Sequence, residues 1–165
     1  MADLFEHITQ GRRLKKEDHI DGDFPFVMSG VTNTGLVAKI ANPINRFPAN
    51  SITIDIFGNT FYRDCEYSAS DDVGVYWSDK SYSRETLLYI CATVRKSLEG
   101  KYSYNKKLRA SQSFDFKIKL PATADSELDC DYMTTFIRIQ QKLAIKNVVE
   151  WKNKEVAAHK SVAVK

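Results

Sequence analysis

Side chains able to engage a polyanion crowd into one stretch of this chain. Between Arg95 and Lys119 lie Arg95, Lys96, Lys101, Lys106, Lys107, Arg109, Lys117 and Lys119, against only Glu99 and Asp115, although the formal net charge is just +3. The segment Lys101-Tyr102-Ser103-Tyr104-Asn105-Lys106-Lys107-Leu108-Arg109 adds groups of a second kind. Lys101, Lys106, Lys107 and Arg109 suit phosphates, Asn105 carries the paired donor and acceptor that fit an adenine edge, and Tyr104 can stack or donate. A solvated basic loop would have the same composition. A polar loop, Ser29 to Gly35, offers Ser29, Thr32, Asn33 and Thr34 between glycines that allow close approach to a surface. An ordinary strand connection would use these residues too. Arg12 and Lys16 belong to a third cluster, partly compensated by Glu17 and Asp18, and Asn59 is kept on its amide alone, since a tight turn accounts for it.

Catalytic chemistry is harder to assemble. An adenine methyltransferase needs an acidic or amide residue ahead of Pro-Pro-aromatic and a glycine-rich turn for its cofactor, and neither occurs. A small nuclease would need acidic metal ligands beside a lysine. Asp79 with Glu99-Gly100-Lys101 is a poor match, because Glu99 and Lys101 straddle a predicted helix end. Asp71 and Asp72 read as solvent-facing loop residues rather than a metal site. His7, His19 and His159 are scattered and support no triad. Cys65, Cys91 and Cys130 are odd in number and unpaired in spacing, which speaks against disulfides and zinc and for a reducing cytoplasm. No catalytic residue, metal or cofactor is assigned. No signal-peptide pattern or membrane-length apolar run is present, so no membrane association is expected.

The elements that must position these loops are short. At 165 residues, with 43% hydrophobic and 27% charged residues, the chain suits one folded domain with an appended element. Strands are predicted at Phe26 to Met28 after Pro25, at Leu36 to Ile40, and at Ser51 to Phe57, where Ile52, Ile54 and Ile56 alternate with Thr53 and Asp55 as in a half-buried strand. Gly58-Asn59 turns that strand back into Thr60 to Arg63 as a hairpin. Gly74 to Trp77 is a further strand. A helix follows from about Arg84 to Leu98, with Gly100 as its stop. Ser113 to Leu120 reads as the cleanest strand, with Phe114, Phe116, Ile118 and Leu120 on one face. From Asp131 to about Glu155 a helix without Gly or Pro is predicted, capped by Asp129 or Asp131. Its apolar stripe includes Phe136, Leu143, Val148 and Trp151, more than one small domain would cover, so a partner helix is expected there. The expected fold class is α+β, a compact strand-rich globule with one internal helix (residues 1–128), then a long C-terminal helix (129–157) and a loose tail (158–165).

Several stretches taken together resemble a known family. GRRLKKEDHIDGDFPFVMSGVTNTGLVAKI resembles the opening of the target-recognition domains of type I restriction-modification specificity subunits and of their type IIB and IIG relatives. ITIDIFGNTFYRDCEYSASDDVGVY is similar to their central block, and KIKLPATADSELDCDYMTTFI to their ending. The blocks run in order from Gly11 to Ile137.

The resemblance implies a non-catalytic module that reads double-stranded DNA while methyltransferase and restriction subunits do the chemistry. Relatives often carry two recognition domains joined by two long helices that pair and set the spacing of a split site. This chain has one of each. The resemblance therefore implies either a homodimer through the helix or pairing with a second recognition half. A subunit serving assembly or regulation, without DNA reading, would also fit the long helix.

Overall fold

Ile52 and Ile54 turn one side of strand β4 (Ser51–Asp55) toward helix α1 (Arg84–Leu98), whose Leu87, Ile90, Val94 and Leu98 are buried in the same cluster. The computed structural model describes residues 1–163, with side-chain surroundings for residues 1–156. β4 is flanked by β5 (Thr60–Arg63) and β7 (Val73–Trp77), and β7 by β1 (His7–Gln10), in an antiparallel sheet of order β1-β7-β4-β5. A second sheet pairs β2 (Asp21–Val27) antiparallel with β3 (Leu36–Ile40) and parallel with β6 (Ser68–Ala69). Val27, Phe47, Tyr67, Ala69, Val73 and Val75 form a second apolar cluster, which joins the two sheets.

The hairpin turn at Gly58, the strand Leu36–Ile40 and the helix Arg84–Leu98 stand where the sequence places them. Ser83 caps α1, its hydroxyl accepting from Thr86 N at 3.0 Å. Gly58 has φ +85°, and a Cβ there would lie 3.0 Å from Leu98 Cβ, so both backbone and packing require glycine.

Three expectations change. β4 is buried on both sides, Thr53 and Asp55 included, because the second sheet and the loop after β2 cover the face read as solvent-facing. β2 starts at Asp21 and incorporates Pro25, which lies opposite Lys39 and ahead of the two residues bonded to β6. Ser113 to Leu120 is not a strand. Ser113 to Asp115 bends and leaves Phe114 46% exposed, while Phe116, Ile118 and Leu120 still line the core. Among the described residues no sheet edge pairs with this segment; instead the Met1 ammonium donates to Phe114 O (3.1 Å) and Phe116 O (2.7 Å). Alternation here records burial without a ladder.

α2 (Cys130–Ala163) begins at Asp129, whose Oδ1 accepts from Tyr132 N at 2.8 Å. Its 34 residues give a rod of about 51 Å. The helix outruns the predicted end near Glu155. The expected tail, 158–165, falls on residues whose side chains lie outside the described part of the structure, and 164–165 lie outside it altogether.

Candidate nucleic-acid interface

Strand register brings the candidate loops to one end of the sheets. Gln10 lies opposite Gly74, Asp55 opposite Val73, Ile54 opposite Thr60, and Val27 opposite Ala69. The segments leaving those positions, residues 11–16, 28–35, 56–59 and 70–72, therefore emerge together. The basic loop 101–109 closes onto them: Leu108 N donates to Ile56 O (2.9 Å), and Arg109 Nη1 donates to Asp71 O (2.7 Å) and pairs with Asp72 (3.3 Å). Gln10 ties the same corner, its amide donating to Asp71 O and its oxygen accepting from Ala110 N at 2.9 Å.

Two buried polar residues, Asp55 and Arg63, hold the loop between β2 and β3. Asp55, 4% exposed, accepts five hydrogen bonds. Phe57 N and Asn59 N donate to Oδ1, while Gly30 N, Asn59 Nδ2 (each 2.9 Å) and Ser29 Oγ (3.3 Å) donate to Oδ2. Arg63, 8% exposed, donates from Nε to Thr53 Oγ1 (3.0 Å) and from its fork to Thr34 O (2.7 Å) and Thr34 Oγ1 (3.4 Å). Burial lowers the Arg63 pKa. Its charge rests instead over the rings of Phe61 and Tyr67, each 5.6 Å away. Neither residue makes an ion pair among the described residues. Between these anchors Asn33 (φ 47°) and Thr34 (φ 53°) are left-handed, a conformation costing on the order of 1–2 kcal/mol per non-glycine residue.

The candidate residues divide accordingly. Arg13 pairs with Asp71 at 3.9 Å and Lys15 with Glu17 at 3.8 Å, which leaves exposed Arg12 and Lys16 unpaired among the described residues. Thr32 and Asn33 are exposed at the loop tip, whereas Ser29 and Thr34 are bonded inward. Ser103 and Lys106 exchange both backbone hydrogen bonds, 3.1 and 3.0 Å, which puts Tyr104 and Asn105 at the tip of a two-residue turn. Tyr104 is 78% exposed, with Lys107 Nζ 4.9 Å from its ring centre, and Lys106 Nζ stands 5.8 Å from that of Tyr102. Lys101 and Asn105 are exposed. Asn59 and Arg109 are committed to Asp55 and to Asp71 and Asp72, so both brace the interface from within.

Asp55 and Arg63, which hold the candidate loop in place, are not among the residues the sequence singles out. An acidic residue two positions before a glycine-containing turn is a legible signal for Asp55, whose Oδ1 accepts from Phe57 N. Nothing local marks Arg63. The nuclease alternative loses its geometry: Asp79 pairs with His7 beyond β7, while Glu99 follows the end of α1 that meets Gly58 at the loop end. Among the described residues no cluster of three potential metal ligands exists.

At the other end α2 docks on the start of α1. Met133 is fully buried, Thr134 Oγ1 lies 2.9 Å from Ser83 Oγ, and Arg138 reaches Glu85 at 3.8 Å. Phe136 packs edge-on against Tyr89 at 5.5 Å and stays 39% exposed; Leu143, Val148 and Trp151 are 48%, 63% and 59% exposed.

Loops thus converge on one end of a two-sheet globule, with a helix docked at the other. The family model for the type I restriction modification DNA specificity domain matches residues 1–150, and the chain belongs to that family. It is 26% identical over 147 residues to the type II restriction enzyme specificity subunit S.BcgI of Heyndrickxia coagulans, covering 87% of this chain and 43% of that one. The fold is that of the type I restriction-modification S subunit from M. genitalium (TM-score 0.60, 13% identity, 90% of this chain and 40% of that one). The HsdS subunit from Thermoanaerobacter tengcongensis shares it too (TM-score 0.56, 14% identity, 87% and 37%). The chain thus spans about two fifths of these relatives.

Proposed function

We propose that this chain is one DNA-reading half of a restriction-modification specificity subunit. It binds double-stranded DNA through the loop end and directs methyltransferase and restriction subunits to a split target. The observation that carries this reading is the convergence of Arg12, Lys16, Lys101, Lys106 and Lys107, which make no ion pair among the described residues, with the polar tips Thr32, Asn33, Tyr104 and Asn105 on one end of the sheets. Cations there supply sequence-independent affinity to phosphates, and the polar tips supply discrimination at base edges. Residues 1–128 act as the reading unit. Residues 129–157 pair with a second copy or a second recognition half, supported by the exposed Leu143, Val148 and Trp151. The cytoplasm, where the DNA is, is the location this reading implies.

Selection of bound sites from a randomised duplex library, with and without a methyltransferase subunit, tests the reading. A gapped motif is the expected result. Absence of enrichment in both conditions would leave the helix as the main functional element and favour an assembly subunit. Lys106→Ala with Lys107→Ala is expected to weaken binding to all sequences and to flatten the dependence on salt by about one unit for each phosphate no longer neutralised.

A further inference from the structure

We propose that the loop 28–35 is a base-discriminating element of the interface, and that Asp55 and Arg63 are positioning residues that fix its shape without touching DNA. The proposal rests on the DNA-reading function above. The loop is closed at its neck, where Met28 N donates to Gly35 O at 2.9 Å. Gly35 has φ +83°, and a Cβ there would meet Met28 O at 2.6 Å. Asp55 holds the entry through Ser29 and Gly30, and Arg63 holds the exit through Thr34. Because the Asp55 carboxylate also binds Asn59, the loop and the β4–β5 turn are held as one rigid corner.

A plain connection between β2 and β3 needs none of this. It would place glycine where Asn33 and Thr34 adopt left-handed backbone, and it would not bury a carboxylate and a guanidinium that lack oppositely charged partners among the described residues. Strained backbone held by surrounding structure marks a segment whose exact shape is used. Here the shape thrusts Val31, Thr32 and Asn33 outward, Val31 being 59% exposed. The cations of 12–16 and 101–107 differ in kind from this loop: Arg12, Lys16, Lys101, Lys106 and Lys107 supply affinity without sequence.

The labour of the interface is thereby divided, and the division is measurable. Affinities for the selected duplex and for a scrambled duplex are measured across a salt series, in the full chain with whatever partner subunit wild-type binding requires. Variants Asp55→Asn, Arg63→Lys and Ser29→Ala are compared with Lys106→Ala/Lys107→Ala, and thermal melts identify the folded variants. In the folded Asp55 and Arg63 variants the preference for the selected duplex is expected to fall about tenfold or more, with scrambled-duplex affinity and salt slope unchanged. The lysine variant should show the reverse. Amide exchange at Thr34 and Gly35 should accelerate in Arg63→Lys.

An unchanged preference in folded variants overturns the proposal, as does an equal loss on both duplexes, which is what simple destabilisation produces. Should Asp55→Asn fail to fold, Arg63→Lys and the milder Ser29→Ala still decide the matter. A wild-type chain that prefers no duplex overturns the DNA-reading function itself, and this proposal falls with it.

Discussion

Tyr76 lies fully buried, its hydroxyl 2.9 Å from Ser113 Oγ, and burial raises its pKa to about 12. Tyr67, buried and bonded to Ser51, is shifted in the same direction for the same reason. The folded state therefore holds these protons more tightly than the unfolded chain does. Their contribution is fully present below the unfolded value near 10 and is lost as pH rises toward 12. Alkaline unfolding is expected in that window, with the two buried tyrosines ionising together with loss of structure in an absorbance titration. The cysteines give a second measurement. Cys91 is buried on α1 and its thiol pKa is raised by desolvation, whereas Cys65 is exposed. In the native protein a thiol reagent should modify Cys65 readily and Cys91 only at the rate of unfolding.

At the scale of elements, α2 is two structures in one helix. Its first turns belong to the globule through Met133, so Met133→Ala is expected to cost about 2–5 kcal/mol in urea unfolding. Farther along, Leu143, Val148 and Trp151 face solvent and contribute little to the isolated fold. Leu143→Asp and Trp151→Asp should abolish self-association in sedimentation while leaving the thermal midpoint of the monomer unchanged. The segment 113–120 teaches the complementary lesson. Its alternating pattern is genuine and its apolar side is used, but Met1 N takes the carbonyls of Phe114 and Phe116, and among the described residues no strand lies beside it.

At the scale of the molecule, the loops and the helix lie at opposite ends of the globule, so the proposed reading and pairing roles fall on separate parts of one chain. Under the proposed function, a chain that spans about two fifths of its relatives reads half of a split site. A monomeric helix variant is accordingly expected to bind a half-site duplex as the wild type does and to lose the added affinity for the split site. Full split-site affinity in a monomer would show that the helix is not the spacer.

The sequence by itself determined what depends on neighbours in the chain. The hairpin at Gly58, α1 with its Ser83 cap and Gly100 stop, the Asp129 cap and the excess of apolar surface on α2 all follow from local backbone preferences and period. The ordered blocks carried the family in the same way. Tertiary structure alone decided which charges remain free. Arg109 and Asn59 are candidate DNA contacts in the sequence, yet Asp72 and Asp55 lie beside them in the fold. It also decided that Thr53 and Asp55 are interior, because the cover for that face comes from another sheet. Arg63 reaches Thr34 across 29 positions of sequence. Such a contact leaves no periodicity behind, since its geometry is set by how strands pair and sheets stack.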